Sequence, residues 1–191
     1  TRSTAHPDTN AGSPVVGDVY YAHTVGSSTL WDSLPIGTAG QVLVVSGGLP
    51  TWVTVVRDKY IPAGLIKPYI INGCAPAVVS SIGTVDIETL DFGQTPKEYA
   101  LFGFRWPAGW NAGTITYSVD WTATAGTGDI VMELAGTALA DGDLISTAFT
   151  GGVEVTDTLI AINTLCATPE SSALTIANTP AAGEYTQFRL V

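Results

Sequence analysis

The strongest constraint on this chain is the stretch from Leu30 to Trp52, LWDSLPIGTAGQVLVVSGGLPTW. Two tryptophans bracket one apolar run, Val42-Leu43-Val44-Val45. Pro35, Gly37, Gly40, Gly47-Gly48 and Pro50 surround it with turn signals. Such a segment is too short to bury its own apolar surface, and an isolated two-stranded hairpin is marginal in water. The cover must come from outside the segment, and copies of the same chain are the nearest source.

Composition points the same way. Hydrophobic residues make up 46% of the 191 and charged residues 13%; soluble domains carry about 25% charged residues. The surface is therefore covered largely by Ser, Thr, Gly and Asn, with much apolar area hidden. Mean hydropathy is +0.30, yet no apolar run approaches the ~18 residues of a membrane helix. Buried surface between chains is the expected explanation. Abundant Gly, Pro, Thr and Val, with few helix formers, predict many short strands and turns.

Net charge is −10, and it is unevenly placed. Residues 1–70 hold four acids (Asp8, Asp18, Asp32, Asp58) against four bases (Arg2, Arg57, Lys59, Lys67). Residues 71–191 hold the other thirteen acids against Lys97, Arg105 and Arg189. An acidic chain lacks the cationic contacts that nucleic-acid binding needs. Cys74 and Cys166 are too few for a disulfide scaffold; a pair of buried free thiols is the plainer reading, beside a disulfide. The start at Thr1, without an initiator Met or signal-peptide pattern, reads as a start part-way along a longer product or as processing.

Along the chain, residues 1 to about 14 read as a polar arm. VVGDVYY (Val15–Tyr21) and Val53–Val56 are strand candidates flanking the tryptophan-bracketed segment. Pro62, Gly64 and Pro68 forbid a long helix and favour an extended connector. The expected fold class is thus all-β: an extended, β-rich N-terminal oligomerisation region over residues 1–68, then a jelly-roll-like β-sandwich over 69–191. The clearest strand there is Thr114–Trp121, where Ile115, Tyr117, Val119 and Trp121 alternate with polar residues. Val85–Phe92, Glu98–Trp106, Ile130–Ala138, Val153–Val155, Leu159–Ala167, Ala173–Ile176 and Tyr185–Val191 are the other candidates, separated by Gly, Pro and Asp-Gly turns. Ala135–Leu144 reads as strand plus loop.

Few residues are placed for chemistry. His6 and His23 lie in the front part, away from a rigid scaffold that a nucleophilic triad would need. Asp86, Glu88 and Asp91 cluster, as do Asp141 and Asp143. Glycan cleavage would require two carboxylates across one groove, but solvated turn acids are the plainer reading. Asp141-Gly142-Asp143 lacks EF-hand spacing, and Cys and His are too few for a transition-metal site. No P-loop or dinucleotide fingerprint appears. No catalytic residue, cofactor or metal is expected. Aromatics of the back part read first as core, Trp121 and Phe104 in particular. Trp110, in a turn between Gly109 and Asn111, is the one expected to be exposed at an interface or on a ligand surface.

The stretch Leu34–Trp52 closely resembles an L-P-I-G-T-A-G-Q-V-L-x-V-x-x-G-x-P-x-W element of fibre and spike proteins of tailed bacteriophages. In the back part, NGC at Asn72–Cys74, the tryptophans of Trp106–Trp121, LADGD at Leu139–Asp143, VEVTD at Val153–Asp157 and ESSALTIANTPAAGE at Glu170–Glu184 resemble a domain of structural proteins of environmental phages. The resemblance implies a non-enzymatic virion subunit: a homotrimer attached to other virion proteins of tail, portal or capsid. Its distal head would meet a host-surface glycan, or serve as a purely structural head fibre or decoration. Trp31, Leu34, Ile36, Val42, Val44 and Trp52 are the expected inter-chain contacts. Neither nucleic acid nor membrane is an expected partner.

Overall fold

The computed structural model describes residues 15–55, 58–82 and 84–191. The chain is all-β, with a single 3-10 turn at Ala63–Leu65 among the described residues. It divides into two units, Thr1–Lys59 and Tyr60–Val191. The division falls ahead of residue 68 because Lys67–Pro68 pairs with a strand of the second unit and Ile66 packs against that unit's core.

Among the described residues, the first unit is built from two hairpins. β1 (Val19–Val25) pairs with β2 (Ser28–Leu34), and β3 (Gln41–Ser46) with β4 (Leu49–Thr54). The β3–β4 turn is Gly47-Gly48, at φ 59° and 82°. Two successive positive φ values are what a type I′ turn demands, and glycine supplies them without strain. The strand expected from Val15 starts only at Val19. Gly17 sits at φ 99°, and the Asp18 N–H bonds back to the Val15 carbonyl (3.2 Å), so the chain turns before it extends. Val53 and Thr54 finish β4; Val56 lies outside the described residues.

The second unit is organised by a five-stranded antiparallel sheet. Its strands are β5 (Lys67–Pro68), β8 (Ala100–Arg105), β10 (Asp129–Leu139), β11 (Thr150–Thr158) and β13 (Tyr185–Leu190), in the order β11-β10-β13-β8-β5. Strand alternation places every second residue on one face, and the register aligns those residues in rows: Ala100–Leu190–Leu134, Phe102–Phe188–Gly136 and Phe104–Thr186–Ala138. These rows are the core. Phe188, 2% exposed, stacks between Phe102 (5.1 Å) and Phe104 (5.2 Å). Gly136 makes room for it: a β-carbon there would stand 3.0 Å from Phe188 Cε1.

Residues 114–121 and 166–176 form an irregular second layer over this face. Only β9 (Asp120–Trp121) and β12 (Cys166–Ala167) pair regularly. Beyond them, the Thr168 and Ser171 hydroxyls accept the Val119 and Tyr117 N–H groups (2.9 and 3.0 Å) where a ladder would use carbonyls. The Thr168, Ser171 and Leu174 N–H groups answer to the carbonyls of Val119, Tyr117 and Ile115. The partner thus advances six residues while this segment advances four, so the expected strand Thr114–Trp121 is extended but mostly not a regular ladder. Its alternation still has the predicted consequence: Ile115, Tyr117 and Val119 pack against the core. Tyr117 Oη lies 2.9 and 2.7 Å from the carbonyls of Met132 and Val153 and joins the two layers. Burial pushes its pKa up to about 12.

A separate hairpin, β6 (Val78–Ile82) with β7 (Val85–Thr89), completes the unit. The two four-stranded sheets of a jelly roll are not formed among the described residues. The expected strand Leu159–Ala167 is loop up to Leu165, with Ile160 and Leu165 exposed. Both cysteines are free and buried. Burial, then the charge of Glu98, raises the Cys74 thiol to about 11.

Candidate functional site

No described residue of the first unit is buried. Its hairpins, each a two-stranded sheet, present apolar side chains on both faces. Trp31 is 49% exposed and lies on β2 opposite Ala22, on the same face as exposed Tyr20. Leu34, opposite Val19, falls on the other face and is half-buried. On β3, Val42 and Val44 share one face with Val53 and Leu49 of β4. Leu43 and Val45 share the opposite face with Trp52 and Pro50, and Val45 is 77% exposed. The apolar run therefore supplies two exposed faces rather than one. Leu43 and Val45 of the apolar run and Tyr20 belong to this surface as well, although within the run only Val42 and Val44 stood among the expected inter-chain contacts. The signal was available in the unbroken apolar run, which in a strand marks both faces for burial.

Two of the six expected contact residues have roles inside the chain. The Trp52 indole N–H donates to the Pro35 carbonyl (2.8 Å), and its ring covers Gly37, where a β-carbon would come within 2.6 Å. Ile36 packs on Gly17 yet remains 61% exposed. The Gln41 side chain accepts the Thr38 N–H (2.8 Å), and the Gln41 N–H returns to the Thr38 carbonyl (3.1 Å). The LPIGTAGQ…W pattern is thus a local tie: Trp52 fastens the segment between the hairpins, and Pro35, Gly37 and Gln41 shape it.

In the second unit, Trp110 is half-buried rather than exposed. The Trp110 N–H bonds to the Pro107 carbonyl (2.9 Å), and this turn folds its ring onto Trp106 at 4.0 Å and 16°. Trp106 is itself held by its indole N–H on Thr186 Oγ1 (2.8 Å) and by Phe104 edge-on at 4.7 Å. One ring face of Trp110 is covered by this stack, and the side chain lines a cleft of about 240 Å³ with Thr114, Leu174, Thr179 and Pro180. A wider cleft of about 440 Å³ lies between the turns at Ala140–Gly142 and Ala182–Glu184, beside Arg105.

The acids singled out from sequence are dispersed in their roles. Asp143 accepts the Ala140 N–H (2.8 Å) and closes its own turn; Asp141 lines the wider cleft; Glu88 sits against Gly64. His23 lies 4.0 Å from Asp32 across the β1–β2 hairpin. Among the described residues no group of three or more His, Cys, Asp or Glu is placed to hold a metal ion. Among the same residues no helix is long and apolar enough to cross a membrane. The comparisons with family models, curated proteins and solved structures returned no match.

Proposed function

We propose that this chain is a non-enzymatic structural subunit of a bacteriophage fibre or spike. In this reading the first unit is its oligomerisation and attachment region and the second its distal head. The observation that carries it is the first unit's lack of any buried described residue, beside a second unit that builds its own core. Apolar surface returns roughly 25 cal/mol per Å² when it leaves water, and three copies meeting through β3–β4 would cover faces that one chain leaves open. The likeness of Leu34–Trp52 to the phage fibre element supports the same assignment. Three heads on one stalk would add weak glycan contacts into avidity, and the acidic head would limit nonspecific adhesion to anionic surfaces.

Mass measurement in solution tests this. The chain should be a trimer at micromolar concentration, and Val45→Asp should shift it to monomer while leaving the head folded. A monomeric parent chain, or a Val45→Asp variant still trimeric, would refute the assignment of the interface. Imaging of whole particles distinguishes a tail position from a capsid-bound one.

A further inference from the structure

We propose that the cleft beside Trp110 binds one neutral pyranose ring; the proposal rests on the attachment reading above and gives it a location. Three observations converge there. The first is a fixed aromatic platform. Trp106 covers one face of the Trp110 ring in a parallel stack and is anchored through Thr186 and Phe104. Trp110 borders the cleft from this stack, and an indole ring suits the apolar C–H face of a sugar, an amphipathic partner for an amphipathic ring.

The second is size and charge. The cleft volume is about 240 Å³. That is the scale of a single sugar ring and is smaller than the sites of drug-sized ligands. No charged residue lines the cleft, in a protein of net charge −10. An anionic sugar would find no cation there and a cationic ligand no carboxylate, whereas the Thr114 and Thr179 hydroxyls can exchange hydrogen bonds with a neutral polyol.

The third is stored backbone strain. Ala112, Asn178 and Thr179 occupy left-handed conformations at φ 55°, 64° and 45°; Ala112 and Thr179 line the cleft and Asn178 adjoins it. For a β-branched residue such as Thr179 this is a genuine outlier, and such outliers gather where a ligand is held. The Asn178 side-chain amide donates to the Ala138 carbonyl at the end of β10 (3.2 Å), so this wall is tied to the sheet.

The test is NMR of the full chain, following the indole N–H of Trp110 during titration with the methyl glycosides of glucose, galactose, mannose and N-acetylglucosamine. At least one should shift that resonance with millimolar affinity, the range for a dozen heavy atoms at small-ligand efficiencies. Trp110→Ala, which lacks that indole and is followed instead at the backbone N–H groups of Gly113 and Thr114 in the cleft wall, should weaken binding by about tenfold or more. Thr179→Gly should weaken it too while leaving the fold intact, since glycine accepts the left-handed conformation freely. No movement of Trp110 with any of the glycosides would overturn the proposal, as would binding unaffected in both variants. Binding of the parent chain to immobilised bacterial polysaccharide separates the two levels. If it binds while the glycosides leave Trp110 unmoved, the cleft assignment fails and attachment stands; if glycosides move Trp110 but polysaccharide is ignored, the cleft stands and attachment fails.

Discussion

Gly136→Ala offers a test in which two physical rules disagree about the sign. Alanine in a strand is ordinarily better than glycine by about 0.5–1 kcal/mol, because glycine loses more backbone entropy on folding. At this position the new methyl would meet Phe188 Cε1 at 3.0 Å, Phe188 Cδ1 at 3.1 Å and Ile176 Cγ1 at 3.2 Å. Neither neighbour has room to retreat. Phe188 is stacked between Phe102 and Phe104 with Trp106 edge-on at 6.3 Å, and Ile176 is buried in the same core. Overpacking of this kind costs about 1–3 kcal/mol, so the variant should be less stable by about 1–2 kcal/mol net. Urea unfolding followed by near-UV circular dichroism of the aromatic stack should show a lower midpoint at unchanged slope. Phe188→Leu alone should also destabilise, by lost ring contacts and a cavity. Combined with Gly136→Ala, however, it frees the space the methyl needs. The double variant should then lose less than the sum of the two by at least about 0.5 kcal/mol. A stabilised Gly136→Ala protein, or strict additivity in the double variant, would refute the claim that Phe188 is locked by its neighbours.

Tyr117→Phe should cost about 1 kcal/mol near neutral pH by removing the hydroxyl whose one proton serves the Met132 or the Val153 carbonyl. Because the folded pKa is raised from 10 to about 12, the stability Tyr117 contributes is present in full below pH 10 and is lost as pH rises toward 12. Alkaline denaturation midpoints of parent and variant should therefore converge over that range, and parallel curves would contradict the assignment. Trp52→Phe should lose about 0.5–1.5 kcal/mol with the bond to the Pro35 carbonyl. Gly37→Ala should disturb the same tie more, since its methyl would displace the Trp52 ring; proteolysis between the two hairpins reads both.

The LPIGTAGQ…W pattern and the Trp110 turn show where reasoning from sequence succeeds and where it ends. Gly47-Gly48 declares its hairpin locally, because only successive positive φ values close a two-residue turn between twisted strands. The 185–190 strand is legible because alternation alone puts Thr186, Phe188 and Leu190 on one face. The need of residues 42–45 for cover follows from the run itself. In contrast, Leu159–Ala167 has strand composition but becomes mostly loop, and Thr114–Trp121 loses its regular ladder to the Thr168 and Ser171 hydroxyls.

What the sequence determined by itself was the all-β class, the hairpin turns and the alternating core faces, since these depend on neighbours one to three residues apart. What only the tertiary structure decided was which aromatic meets which: Trp106 with Thr186, Trp52 with Pro35, and Trp110 turned onto Trp106 instead of outward. These partnerships depend on strand register and on how the turns close. Spacing along the chain leaves such pairings open, because a shift of one residue in register sends every side chain of a strand to the other face.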